Sequence, residues 1–447
     1  MKKVLIANRG EIASRIIETC KKIGIETVAV YSDADASLTF VDEATYAYRI
    51  GESPVSKSYL QSETILNIAK KEQVDAIHPG YGFLSENDQF AKEVEKMGIR
   101  FIGPSADVIR LMGDKVEARK KMEEAGVPVI PGSVEGLETI EEAKALAEEI
   151  GYPVMLKASG GGGGIGMQKC QDSTELEKAF VTTKNRAKAY FGSDKVFIEK
   201  WISNARHVEI QLFGDQFGNV VHLFERDCSI QRRNQKVIEE SPSPFISNET
   251  REMMCEAAVK AAKHVGYVNA GTIEFIVDEH EQFYFLEMNT RLQVEHRVTE
   301  MVTNIDLVEW QIRIARGEKL PQTQDEILSA GHAMEFRLYA EDPIRFLPSP
   351  GDIRVLQYPD QEDVIVDKAY KQGDKVTPYY DPLVAKIVVK GHDRSNTVQK
   401  AKAYLTKINI EGIKTNLPLF IELLEDDSFL KGDYTTNYLE NRSIAQS

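Results

Sequence analysis

An α/β protein is predicted, with a parallel-sheet unit first, a small glycine-bearing unit next and a mixed, largely antiparallel sheet last. Three observations predict it. The first hundred or so residues alternate short apolar runs with amphipathic helical stretches, six glycines fall within positions 160–166, and strand-like runs dominate beyond residue 204.

The N-terminal alternation reads "KVLIAN", a helix through "EIASRIIETCKKIG", "ETVAVYS", a helix near "SETILNIAKKE", "DAIHPG" and "IRFIGP". Such alternation specifies parallel strands covered on both faces. Gly10 follows the first strand as in a nucleotide-binding turn, but no second glycine follows at dinucleotide-fold spacing, so a plain strand-to-helix turn is expected. The stretch "ADVIRLMGDKVEARKKMEEAGVP" reads as helical and stops at Gly126 and Pro128. From about 131 to 203 comes a compact unit whose glycine run sits between strand-like "PVMLKAS" and "GMQKC", with a helix opening at Ser173 and a bounding strand "KVFIEKW". Further strands follow in "HVEIQLFGD", "NVVHLFERD", "AGTIEFIVD", "QFYFLEMN", "HAMEFRLYAED" and "LVAKIVVKG". The expected division is 1–113, 114–203 and 204–447, with the middle unit a mobile lid between two lobes.

The chain has 447 residues, 42% hydrophobic and 28% charged, with a net charge of −15. That balance describes a globular protein and argues against a nucleic-acid partner, which demands a basic footprint. An anionic ligand must then be held by local clusters of Lys and Arg. The four cysteines, at 20, 170, 228 and 255, lack metal-site or disulfide-scaffold spacing. With no signal-peptide pattern and no membrane-length apolar window, reduced core thiols in a cytoplasmic protein are expected.

The run "KASGGGGGIGMQK" is either a slack loop or a phosphate clamp. Glycines 161, 163 and 166 match G-x-G-x-x-G only formally, and no Lys-Ser or Lys-Thr closes a Walker loop. Strand-like flanks favour a hairpin tip whose bare N–H groups, including those of Gly162, Gly163 and Gly164, close on phosphate oxygens.

"GTIEFIVDEHEQFYFLEMNT" reads as a hairpin with an even loop centred on His280 and Glu281. That register opposes Glu274 to Glu287 and Thr272 to Asn289, and places Ile273, Met288, Phe275, Leu286, Val277 and Tyr284 on an apolar face. Like charges about 4 Å apart repel by roughly 4 kcal/mol at an effective dielectric near 20. A hard divalent cation, Mg²⁺ or Mn²⁺, would remove that penalty; a solvated sheet face is the alternative. "TRLQVEHR" then crowds Arg291, Gln293, Glu295, His296 and Arg297 at a strand end, while "ERDCSIQRRNQK" supplies Gln231, Arg232, Arg233 and Lys236, and "EFRLYAEDP" supplies Arg337. His207 is either a ligand contact or a satisfied core histidine.

Together, "HPGYGFLSEN", the Lys115 helix, "KASGGGGGIGM", "RHVEIQ", "ERDCSIQRRNQK", "AGTIEF", "EMNTRLQVEH", "EFRLYAED" and "LPSPG" resemble the biotin carboxylase family of the ATP-grasp superfamily along the whole chain. The resemblance implies an ATP-grasp fold with a Rossmann-like N-terminal domain and carboxylation of biotin by bicarbonate at the expense of ATP. It implies ATP contacts at Lys115, Lys157, the glycine run, Glu199, Lys200, Ile202, His207 and Gln231. Two Mg²⁺ or Mn²⁺ ions would lie at Glu274, Glu287 and Asn289. Bicarbonate would lie at Lys236, Arg291, Gln293 and Val294, with Glu295 as base, Arg337 stabilising charge on biotin, and Tyr81 and Phe83 nearby.

The sequence departs from the family pattern at Ile165, where a basic residue is common, at Asn234, where histidine is common, and at Arg297, which replaces a proline. No biotin-attachment segment or carboxyltransferase domain is evident, so the resemblance implies a separate biotin carboxyl carrier protein, carboxyltransferase subunits and a homodimer. Acetyl-CoA carboxylase in fatty acid synthesis is the expected context, with propionyl-CoA, pyruvate or urea-type systems as alternatives. Another ATP-grasp ligase and a non-catalytic nucleotide-binding subunit are the rival readings.

Overall fold

Val4, Leu5 and Ile6 have no solvent exposure, as a strand covered on both faces requires. They form β1 (Lys3–Ile6), the centre of a five-stranded parallel sheet ordered β3-β2-β1-β4-β5, with β2 (Glu26–Ser32), β3 (Tyr46–Gly51), β4 (Ala76–His78) and β5 (Arg100–Phe101). The computed structural model describes residues 1–133, 136–158, 166–191 and 194–445. After β1 the helix Gly10–Lys22 buries Ile12, Ala13, Ile16, Ile17 and Cys20, a stripe of helical period. Gly10 has φ +63° and makes the strand-to-helix turn. The sequence reading omitted β3, whose half-exposed "YAYRIG" lacks a continuous apolar run.

The stretch expected as one helix is two, Ala106–Gly113 and Lys115–Glu124. Asp114 divides them, its carboxylate accepting the Val116 and Glu117 amides at 3.0 and 3.2 Å. This N-cap restarts the helix at Lys115.

In the middle unit β6 (Val154–Ala158) pairs antiparallel with β7 (Met167–Cys170) and β8 (Val196–Lys200). The hairpin flanks of the glycine run are therefore present, while Gly162, Gly163, Gly164 and Ile165 lie outside the described residues. Leu137, Ala147, Leu156, Phe180 and Ile198 give this unit its own core. The helix Ser173–Phe191 begins where expected, capped by Asp172 through the Thr174 and Glu175 amides at 2.8 and 2.9 Å.

The remaining strands build an eight-stranded sheet ordered β13-β12-β9-β10-β11-β14-β19-β17. Its members are β9 (Arg206–Gly214), β10 (Val220–Arg232), β11 (Gln235–Ser241), β12 (Asn269–Val277), β13 (Phe283–Asn289), β14 (His332–Tyr339), β17 (Val364–Lys368) and β19 (Leu383–Gly391). Two small ladders pair β15 (Gly351–Asp352) with β18 (Lys375–Val376) and β16 (Val355–Gln357) with β20 (Asn409–Glu411).

The β12–β13 hairpin keeps half of the expected register. Thr272 opposes Asn289, Ile273 opposes Met288 and Glu274 opposes Glu287, but Phe275 then opposes Phe285 and Val277 opposes Phe283. Leu286 is the extra residue of a bulge, which reverses the facing of what precedes it on β13. Phe285, with Phe283 against it, therefore joins Ile273, Phe275 and Val277 in the core in place of Leu286 and Tyr284. The loop is odd, closed by the Asp278 amide on the Gln282 carbonyl at 2.9 Å, with Glu281 at φ +59°.

Candidate active site

Alternation along β9 turns His207, Glu209 and Gln211 to one face, and register lines up Glu209, Glu274 and Glu287 across β9, β12 and β13. Three adjacent carboxylates require compensation, and side chains supply much of it. Lys236, reaching over from β11, donates to Glu209 Oε2 at 2.6 Å, Glu274 Oε1 at 2.9 Å and Glu295 Oε1 at 2.6 Å. His207 Nε2 lies 3.0 Å from Glu274 Oε2, and Lys115 Nζ lies 3.4 Å from Glu287. Glu274 Oε1 also accepts from Asn289 and Gln293, each at 2.8 Å. Burial alone would raise the Glu274 pKa, but Lys236 and His207 hold it well below the ordinary carboxylate range.

Glu295 is buried just before the helix His296–Thr303. It binds Lys236 through one oxygen and Arg337 Nη2 through the other, at 2.9 Å. Burial pushes its pKa up, and these cations with Arg226 bring it well below the usual value. Arg337 also forms an ion pair with Glu239. Arg291 binds Glu86 Oε2 and Asn289 Oδ1, both at 2.9 Å. Two concavities adjoin this cluster. Lys115, Lys157, Glu199, Lys200, Ile202, His207, Gln231, Glu274 and Glu287 all line the first. Tyr81, Phe83, Arg291, Val294 and Arg337 line the second, with Asn8, Tyr380 and Asp381. Lys236 and Glu295 connect Glu274 at the first to Arg337 at the second.

Residues 1–109 match the biotin carboxylase N-terminal domain, 114–323 the ATP-binding domain of the carbamoyl-phosphate synthase L chain, and 335–441 the biotin carboxylase C-terminal domain. The chain is 57% identical to biotin carboxylase 2 of Bacillus subtilis over 98% of this chain and 99% of that one. The chain belongs to the biotin carboxylase family. It is 49% identical to the 2-oxoglutarate carboxylase small subunit of Hydrogenobacter thermophilus, over 98% of this chain and 93% of that one. Among solved structures, the biotin carboxylase domain dimer of the 2-oxoglutarate carboxylase from the same organism, in complex with MgADP, ADP and bicarbonate, superposes with a TM-score of 0.96 at 48% identity, covering 99% of this chain and 97% of that one.

Within this biotin carboxylase fold the described candidate residues come together, but several are engaged with one another. Lys157 is paired with Glu199, which also meets Arg119 at 3.3 Å. Lys200 spends its ammonium on the Gly151 and Tyr152 carbonyls at 2.7 and 3.3 Å. Tyr81 is hydrogen-bonded to Glu11, and Phe83 stacks on Tyr59 at 5.0 Å between centroids. Glu274 and Glu287, cross-strand oxygen donors that both line the first concavity, are of the donor type that suits a hard divalent cation, and Glu287 is partly exposed beside Lys115. The Asn289 oxygen is taken by Arg291, so that amide braces Glu274 in this structure.

Sequence reading missed Glu209 and the fully buried Arg226. Arg226 binds Glu209 at 2.6 Å, Gln211 and Gln293 at 2.8 Å, Thr299 at 2.9 Å and Thr272 at 3.2 Å. The two-residue spacing of His207 and Glu209 in "RHVEIQ" was the available signal for the first. Of the departures from family pattern, Asn234 lines the first concavity and sits with Arg233 in the two-residue turn joining β10 to β11, at φ +62° and +49°. Such a turn favours Asn. Arg297 is locked bidentately on Asp367 at 2.8 and 2.9 Å.

Proposed function

We propose that this chain carboxylates biotin with bicarbonate at the expense of ATP, the first half-reaction of a biotin-dependent carboxylase. The observation carrying this reading is the unbroken path of opposite charges from Glu274 through Lys236 and Glu295 to Arg337, which joins the two concavities. The first, lined by Lys115, Lys157 and His207, takes ATP, and the glycine run is proposed to contact its phosphates. Glu274 and Glu287 would hold Mg²⁺ or Mn²⁺, two ions by family likeness, whose charge would offset that of the phosphoryl oxygens. The division of the chain at 113 and 203, with the middle unit as a lid that keeps water out, belongs to the same proposal.

Bicarbonate binds among Lys236, Arg291, Gln293 and the Val294 backbone. A bicarbonate oxygen attacks the γ-phosphorus, ADP leaves and carboxyphosphate forms; this splits into CO₂ and phosphate beside biotin, the phosphate takes the ureido N–H proton, and the freed nitrogen bonds to the CO₂ carbon. Glu295 takes the bicarbonate proton. Its pKa is depressed while Lys236 and Arg337 are devoted to it; an anion entering between them diverts part of both charges and makes Glu295 a better base. Arg337 then faces the negative charge that develops on the ureido group of biotin.

The biotin arrives on a separate carrier protein and passes to carboxyltransferase subunits. Acetyl-CoA carboxylase is the proposed context, and the likeness to a 2-oxoglutarate carboxylase subunit makes that acceptor the alternative to test. A homodimer is supported by the dimeric structural relative. Initial rates of ADP release, measured with and without bicarbonate and free biotin, test the reaction. Both additions are expected to accelerate turnover, and Glu295→Gln to abolish the bicarbonate dependence with nucleotide affinity little changed. ADP release indifferent to both additions would reject the proposal.

A further inference from the structure

Beside Arg337 the sheet presents two charged side chains, Lys386 and Asp367, that the reaction above leaves unused. Asp367 on β17 is in register with Lys386 on β19, and Lys386 with Arg337 on β14, so three neighbouring strands carry a row of buried charges. Each grips a different part of the segment 294–297, where the loop enters the helix His296–Thr303. Arg337 holds the Glu295 carboxylate at 2.9 Å, Lys386 Nζ donates to the Val294 carbonyl at 2.9 Å, and Asp367 accepts from Arg297 Nε and Nη2 at 2.9 and 2.8 Å. Lys386 Nζ lies 3.3 Å from Asp367 Oδ2. A closed ring results. It runs along the backbone from Val294 to Arg297, across the guanidinium to Asp367, on to Lys386 and back to the Val294 carbonyl.

Glu295 occupies the N-cap position of the helix His296–Thr303, yet its side chain makes no capping bond. Its carboxylate is committed to Lys236 and Arg337, so the helix start needs another anchor, and the ring is one. A buried ammonium is costly unless compensated. Lys386, with no exposure, is compensated by Asp367, whose own pKa, raised by burial, is brought well below the ordinary range by Arg297 and Lys386.

We propose that Lys386, Asp367 and Arg297 are positioning residues that fix residues 294–297, so that the Glu295 carboxylate meets Lys236 and Arg337 where bicarbonate binds. The proposal rests on the reading of Glu295 as the base. Arg297, a departure from the family's usual proline, gives this chain its own version of the clamp.

The test compares Lys386→Met, Lys386→Arg and Glu295→Gln in the full chain, with kcat and KM for bicarbonate, KM for ATP and Tm measured on each. Misplacing a catalytic group by 1 Å costs on the order of 100-fold, so Lys386→Met is expected to lower kcat/KM for bicarbonate by about 10-fold to 100-fold. KM for ATP should stay within about twofold, a split that a general loss of structure would not give. Lys386→Arg should restore part of the loss. A folded Lys386→Met enzyme with unchanged kcat/KM beside an inactive Glu295→Gln overturns the clamp, as does an equal rise in KM for both substrates. Full bicarbonate-dependent turnover in Glu295→Gln rejects the base reading instead. If Lys386→Met does not fold, Asp367→Asn, which keeps the shape and loses the charge, is read by the same criteria.

Discussion

Lys236 decides how the candidate site is held. Its ammonium lies between Glu209, Glu274 and Glu295. Opposed Glu274 and Glu287 need positive charge between them, and beyond what a metal ion would supply, Lys236, His207 and Lys115 surround that row. A metal ion would therefore add to a compensated site. Removing one partner of a buried charge network costs about 3–5 kcal/mol, because the others remain buried and unpaired. Lys236→Met is accordingly expected to lose about that much stability in a denaturant titration. Mn²⁺ should restore more stability to the variant than to the parent enzyme. A variant as stable as the parent would mean that the three carboxylates are balanced by other groups.

At the scale of elements, period and register made the inner half of the β12–β13 hairpin legible from the sequence, because Glu274, Glu287, Thr272 and Asn289 alternate without interruption. The bulge at Leu286 was not legible, since one extra residue changes parity without changing composition. Arg226 was hidden for another reason: a fully buried arginine looks like any charged strand residue until five partners from β9, β12, the loop beyond β13 and the helix His296–Thr303 converge on it. Asp114 was a readable cap that the long helical pattern obscured.

The β11–β14 ladder carries a similar conflict, opposing Glu239 to Glu335 with both fully buried. Burial pushes Glu239 up to about 7, against the pull of Arg337 and with the push of Glu295. A carboxyl whose folded pKa exceeds its unfolded value of 4.5 binds more protons in the folded state. Its contribution is fully present below that value and is lost as pH rises through about 7. Glu239→Gln should therefore flatten the fall of Tm between those two pH values, relative to the parent. An unchanged slope would show that Glu239 does not carry the proton there.

Over the whole molecule, the three larger sheets border the site, and one continuous core joins the N-terminal sheet to the eight-stranded one through Val4, Ile6, Phe213 and Met334. The N-terminal sheet is tied to it by Glu86, which accepts from Arg291 at 2.9 Å and from the Thr290 amide at 3.1 Å. A second tie is Arg15, whose Nη2 reaches Glu300 at 2.8 Å and Asp306 at 2.9 Å. No helix among the described residues is long and apolar enough to cross a membrane. The molecule thus brings a nucleotide-type cleft and a second, arginine-lined pocket against opposite ends of one chain of alternating charges. Bicarbonate is expected to pass one oxygen to phosphorus at that chain. Turnover of ATP with heavy-oxygen-labelled bicarbonate and biotin tests it most directly, by mass analysis of the phosphate released. One labelled oxygen per phosphate, carried over from bicarbonate, is the expected result; phosphate whose new oxygen comes only from water would contradict attack by bicarbonate.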